Sequence, residues 1–170
     1  MKVLESATMR LQMLRTQGDV LEMLATYAPG SPPPPRHYHP LQREQFTVES
    51  GALRFFLNGA ERVVRAGESV IIEPGTVHTV RNASASEPAR TRWETRPALR
   101  SAEMFEAILE MQRQGANLLT AAAIGHEFRH EMVLAWPPRL VQSCVFGLLA
   151  PLARALGKGV SRAEPPTPTL

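Results

Sequence analysis

A chain of 170 residues, 44% hydrophobic and 21% charged, has the composition of an ordinary soluble globular protein and is long enough to bury a real core. The formal charge is only +3, and 17 arginines and two lysines are scattered without a basic run or aromatic–basic interleaving, which argues against a nucleic-acid partner. Cys144 is the only cysteine, so no intrachain disulfide can form, and no apolar run of about 18 residues or more offers a membrane span.

The first residues, MKVLESATMRLQML, carry Glu5 and Arg10 and lack a long apolar stretch. They do not read as a signal peptide, and a cytoplasmic protein is expected. Residues 9–96 then read as short strands: 20–27, 44–50, 52–58, 61–66, 69–72, 78–82 and 89–96. Turn residues separate them, among them Gly18-Asp19, Pro29-Gly30, Gly51, Gly67 and Pro74-Gly75. Strands of this length and spacing predict a mainly β sandwich or small barrel. Asn58-Gly59 is a strong hairpin signal, because that turn needs positive φ at both central residues.

The pattern changes after Pro97. Met104, Phe105, Ile108 and Met111 fall at helical spacing over 100–114, with Ser101 as N-cap. A second helix is expected over 116–135, stopped by Pro137-Pro138, and a third over 139–156, disturbed near Pro151. The polar, proline-rich end SRAEPPTPTL predicts disorder. The expected layout is a barrel over 1–97, a helical appendage over 98–158 and a disordered tail over 159–170. Helix 139–156, flanked by Arg139 and Arg154, is apolar enough to lie on a membrane. Packing on the barrel or across a homodimer interface is the commoner use of such a helix.

The residues that carry chemistry cluster between 37 and 82. In a strand, side chains two apart share a face, so His37 and His39 present both imidazoles together while Tyr38 faces away. After four intervening residues Glu44 opens a strand on which Glu44, Phe46 and Val48 share one face. A carboxylate heading an apolar inner face suits a ligand at the mouth of a dry barrel. His78 follows the Pro74-Gly75 turn and leads a strand with Val80 and Asn82 on its own side.

His37-x-His39-x4-Glu44-x6-Gly51 resembles the first motif of the cupins, and Gly67-x5-Glu73-x-Gly75-x2-His78-x3-Asn82 resembles the second. Glu73 stands where proline is usual, and Ser31 where a glycine is usual six positions before the first histidine. Both departures touch turns and leave the ligand positions intact. The resemblance implies a cupin barrel, a double-stranded β-helix, in which His37, His39, Glu44 and His78 bind one divalent transition metal. Such a ligand set leaves two positions open on a six-coordinate ion and does not choose among Fe, Mn, Ni, Co and Zn. By strand parity Phe46, Val48 and Val80 are expected to line the pocket, and Tyr27, Arg54 and Trp93 are candidates for further contacts.

The function expected is a metal-dependent enzyme acting on a small organic molecule, of dioxygenase, isomerase, decarboxylase or cyclase type, because the fold does not select a reaction. The alternative is a binding or regulatory module that makes no chemical change. A third reading rests on His126-Glu127-Phe128-Arg129-His130, an HExxH pattern that on a helix would put two histidines on one face with a glutamate to activate water. No further histidine follows it, and of the later acids Glu131 adjoins His130 and Glu164 lies in the tail, so a third ligand is wanting.

Overall fold

The computed structural model describes residues 2–115 and 117–159, the side chains of Thr16 and Gln17 excepted. Its strands in chain order are β1 (Lys2–Glu5), β2 (Met9–Gln17), β3 (Val20–Tyr27), β4 (His37–Tyr38), β5 (Arg43–Ser50) and β6 (Ala52–Leu57). They continue with β7 (Ala60–Arg65), β8 (Ser69–Ile72), β9 (His78–Asn82) and β10 (Ala89–Arg96). Helices α1 (Ser101–Gln114) and α2 (Leu118–Glu127) follow, then β11 (Val133–Leu134) and α3 (Arg139–Ala155). The strands form two antiparallel sheets, ordered β1-β2-β3-β10-β5-β8 and β11-β4-β9-β6-β7.

Alternation along the strands builds the interior. On β10, Ala89, Thr91, Trp93 and Thr95 are buried while Arg90, Arg92 and Arg96 are exposed, and on β5 Glu44, Phe46 and Val48 turn inward. Period 2 puts each set on one face. Leu53 and Phe55 meet them from the second sheet, opposite Asn82 and Val80 in register. The β6–β7 hairpin closes through Asn58 (φ 49°) and Gly59 (φ 91°), the left-handed pair that the Asn-Gly dipeptide predicts.

Gly51, between β5 and β6, has φ 71°, and a Cβ there would sit 2.8 Å from the Pro88 carbonyl oxygen. Backbone rather than a movable side chain blocks the space. Gly51→Ala is therefore expected to destabilise the protein by about 1–3 kcal/mol through backbone strain, to be read from urea unfolding of the metal-free chain.

The helices share the barrel's core. Met104, Phe105 and Leu109 of α1 and Ile124 and Phe128 at the end of α2 belong to the same buried cluster as Leu11, Met23 and Phe46. Leu109 takes the inward place expected for Ile108 and Met111, which are half-buried. Ser101 does not cap α1. Arg100 holds that position, and the Ser101 hydroxyl instead accepts a buried hydrogen bond from Gln42 Nε2 at 2.7 Å.

The second helix is half the expected length. It starts at Leu118, capped by Asn117 Oδ1 on the Thr120 N–H, and ends at Glu127. Residues 128–131 form a turn, and Val133-Leu134 pair with Tyr38 and His37 as an edge strand. No glycine or proline between 128 and 135 marks this break; burial of Phe128 and Val133 and the pairing onto β4 outweigh local helical preference. α3 runs through Pro151 and packs on α2, with the Phe146 ring against Gly125. Its other face leaves Leu140, Leu148 and Leu152 exposed, and Trp136 before it is 80% exposed. Among the described residues no helix is long and apolar enough to cross a membrane. The tail from residue 160 onward lies outside the described residues.

Candidate metal centre

Two strands deliver the histidines to one point. His37 in β4 stands opposite His78 in β9, and His39 follows β4 by one residue. The ring centroids lie 5.2 Å (His37–His39), 4.4 Å (His37–His78) and 5.4 Å (His39–His78) apart, and one ligand atom of each lies within 4.8 Å of the others. The three imidazoles therefore converge on one point, close enough to share an ion.

Each ring is oriented from behind by a backbone carbonyl. His37 Nδ1 lies 2.8 Å from Pro35 O, His78 Nδ1 2.9 Å from Thr76 O, and His39 Nδ1 2.5 Å from Glu131 O. A carbonyl can only accept, so Nδ1 carries the proton and donates on all three rings. The Nε2 lone pairs are left facing the centre, the tautomer a metal ligand requires.

Glu44, fully buried, sits among them. Its Oε1 lies 3.3 Å from His39 Nε2 and its Oε2 3.1 Å from His78 Nε2. With both Nδ1 atoms protonated, these are acceptor–acceptor contacts, which repel unless a proton or a cation lies between. Accordingly His39 Nε2 and Glu44 Oε2 are buried without a hydrogen-bond partner. Orphaned acceptors at this depth are costly. Three neutral imidazoles and a carboxylate are also a donor set suited to a divalent transition metal, so the residues fit such an ion.

The electrostatics agree. Burial alone would raise the Glu44 carboxyl, but His39, His78 and His37 outweigh it and hold the group at about 2. Burial, reinforced by His78 and His39, pushes His37 down to about 3, so that ring stays neutral. Burial also disfavours charge on His78, yet the neighbouring Glu44 carboxylate outweighs it and raises that ring. In the metal-free protein a proton in the space an ion would take is therefore held by His78 facing the Glu44 carboxylate, and ion binding displaces it.

The remaining candidates divide. Trp93 lies inside the barrel: its indole Nε1 donates to Glu44 Oε1 at 3.1 Å, while its ring stacks on Phe46 at 4.8 Å and meets Phe105 edge-on. Trp93→Phe keeps the stack and removes the donor. It is expected to weaken metal affinity about tenfold to a hundredfold, read by competition with a chromogenic chelator. Phe46, Val48 and Val80 are buried on the same inward faces as Glu44 and His78. Tyr27 is buried too, and burial together with the Glu44 charge raises its hydroxyl, which stays protonated. Arg54 is a correction. It alternates with inward Leu53 and Phe55, so it lies on the outer face, paired with Glu61 across the hairpin.

The HExxH pattern does not form its helical pair. α2 ends at Glu127, and His130 lies exposed in the following turn rather than one turn along the helix. Glu127 is held by Arg100 at 2.9 Å and Arg154 at 3.2 Å. Among the described residues the histidines placed to share an ion are 37, 39 and 78, and those at 126 and 130 are not among them. Sequence reasoning missed the three orienting carbonyls. Those of Pro35 and Thr76 lie two residues before a histidine, whereas that of Glu131 comes from 92 residues away and leaves no local signal.

Residues 23–93 match the cupin domain family. Among solved structures, KdgF from a Halomonas species matches with a TM-score of 0.54 at 14% identity, covering 60% of this chain and 91% of that one. An RmlC-like cupin from Shewanella frigidimarina matches with a TM-score of 0.53 at 17% identity, covering 59% and 87%. At such identities the likeness is one of fold. No curated protein matches the chain.

Proposed function

Residues 23–93 match the cupin domain family, and from that premise we propose that His37, His39, Glu44 and His78 hold one divalent transition metal on which a small organic molecule is transformed. The observation that carries the reading is the pair of buried, unpartnered acceptors, His39 Nε2 and Glu44 Oε2, facing the other Nε2 atoms. When bound, the ion would supply Lewis acidity to a carbonyl, enolate or hydroxyl oxygen of the substrate, with or without O2.

The protein's own groups have separate roles in this reading. The Pro35, Thr76 and Glu131 carbonyls fix the rings. Trp93 orients the carboxylate of Glu44. Phe46, Val48 and Val80 keep the inner face dry, and the protonated Tyr27 hydroxyl is a hydrogen-bond donor within the barrel. The exposed leucines of α3 support a homodimer, to be tested by analytical ultracentrifugation.

The test is elemental analysis of purified full-length protein, followed by reconstitution with Fe, Mn, Ni, Co or Zn. About one ion per chain is expected, and substoichiometric metal after reconstitution rejects the reading. Turnover lost in Glu44→Gln at retained fold separates the enzyme from a module that only binds.

A further inference from the structure

A second site lies in the helical region. Between α2 and α3 is a cleft of about 160 Å3, whose lining includes Gly125, His126, Arg129, Arg139, Ser143 and Phe146. The residues from α3 are spaced i, i+4 and i+7, so one helical face supplies Arg139, Ser143 and Phe146. Gly125 and His126 come from α2, and Arg129 from the turn just past its end.

We propose that this cleft binds a small organic anion, a carboxylate or phosphate on an apolar body, separately from the three-histidine centre.

The charge distribution points that way. Four arginines flank the α2–α3 region. Two of them are paired with carboxylates, Arg100 with Glu103 and Glu127 and Arg154 with Glu127. The other two, Arg129 and Arg139, are the ones that line the cleft. Among the described residues neither forms an ion pair, Arg129 Nη1 reaching only the His126 carbonyl at 3.1 Å. No carboxylate lines the cleft. Two unneutralised guanidiniums at one concavity are a ready oxyanion site, since their forked N–H groups match a carboxylate or phosphate.

The rest of the lining includes an apolar set: the Phe146 ring, Met132 and Val133. It has room for a ring or short aliphatic chain attached to the anion, and inorganic phosphate would leave that surface uncovered. The Phe146 ring keeps its place because position 125 has no side chain; a Cβ there would stand 2.8 Å from the ring.

The test is calorimetric titration of the full-length protein with phenyl phosphate, benzoate and inorganic phosphate. Phenyl phosphate and benzoate are expected to bind with Kd of about 0.1–1 mM, and inorganic phosphate at least about tenfold more weakly. The double variant Arg129→Gln/Arg139→Gln is expected to lose at least about tenfold in affinity for the aromatic anions. Both arginines are exposed, so its circular dichroism and melting point should match the parent. His37→Ala should bind the aromatic anions like the parent protein. The proposal is overturned if no heat is seen up to about 10 mM, if the double variant binds normally, or if His37→Ala abolishes the binding. Inorganic phosphate binding as tightly as phenyl phosphate would overturn the apolar half of the assignment.

Discussion

Replacing His78 with alanine is expected to strip the protein of metal. His78 stands opposite His37 across the β4–β9 pair, and its Nε2 lies 3.1 Å from Glu44 Oε2. The substitution removes one of three inward lone pairs and also a group that holds the Glu44 carboxyl at about 2. A carboxylate fully buried with less support takes up a proton more readily, and a protonated carboxyl is a poor ligand. Losing an outer partner of a ligand costs roughly tenfold to a hundredfold in affinity, so losing the ligand itself should exceed about a hundredfold. After dialysis against a weak chelator, metal per chain should fall from about one to below about a tenth. Circular dichroism checks that the barrel remains. Metal content unchanged at retained fold would remove His78 from the ligand set, and with it the present reading of the centre.

Phe128→Ala is expected to produce the largest loss of stability. Phe128 is 1% exposed, lies in the same buried cluster as the barrel residues, and carries the Arg100 guanidinium 4.9 Å from its ring centroid. Truncating a buried phenylalanine costs about 3–5 kcal/mol, from lost transfer energy and the cavity left behind. In a chain of this size that lowers the melting point by roughly 6–20 °C. Metal-free protein is the proper sample, because a bound ion would add its own stabilisation. A single transition is expected, since residues from α1, α2 and the barrel share one core. Two transitions, or a loss below about 1 kcal/mol, would mean that 98–158 is an independent appendage. Metal affinity should drop as well, because Phe128 anchors the turn whose Glu131 carbonyl orients His39.

The two predictions draw on parts of the molecule that differ in how openly the sequence displays them. Strands 20–27, 69–72, 78–82 and 89–96 have the expected bounds; 69–72 and 89–96 alternate with one buried face, whereas 20–27 and 78–82 are buried on both faces and are bounded by their turn residues. Parity along single strands brings Glu44, Phe46 and Val48 to one side and His78, Val80 and Asn82 to another. Parity also contained the answer for Arg54, since Leu53 and Phe55 on either side of it are the inward pair. Trp93 could be placed inside the same way, but not its hydrogen bond to Glu44, which depends on how β10 registers with β5. Ser101 followed a local capping rule, and a buried contact with Gln42 overrode it.

By itself the sequence determined the period-2 faces, the Asn58-Gly59 hairpin and the spacing of three histidines and a glutamate, because each depends on neighbours a few residues apart. Only the tertiary structure decided where α2 stops, that Val133-Leu134 extend the sheet at β4, and that a carbonyl 92 residues along the chain fixes the tautomer of His39. The same folding moved His130 off the helix and left Arg129 and Arg139 facing one cleft. Those outcomes depend on burial and long-range pairing, whose free energy exceeds the few tenths of a kcal/mol by which local propensities differ, about 0.7 at most for ordinary residues.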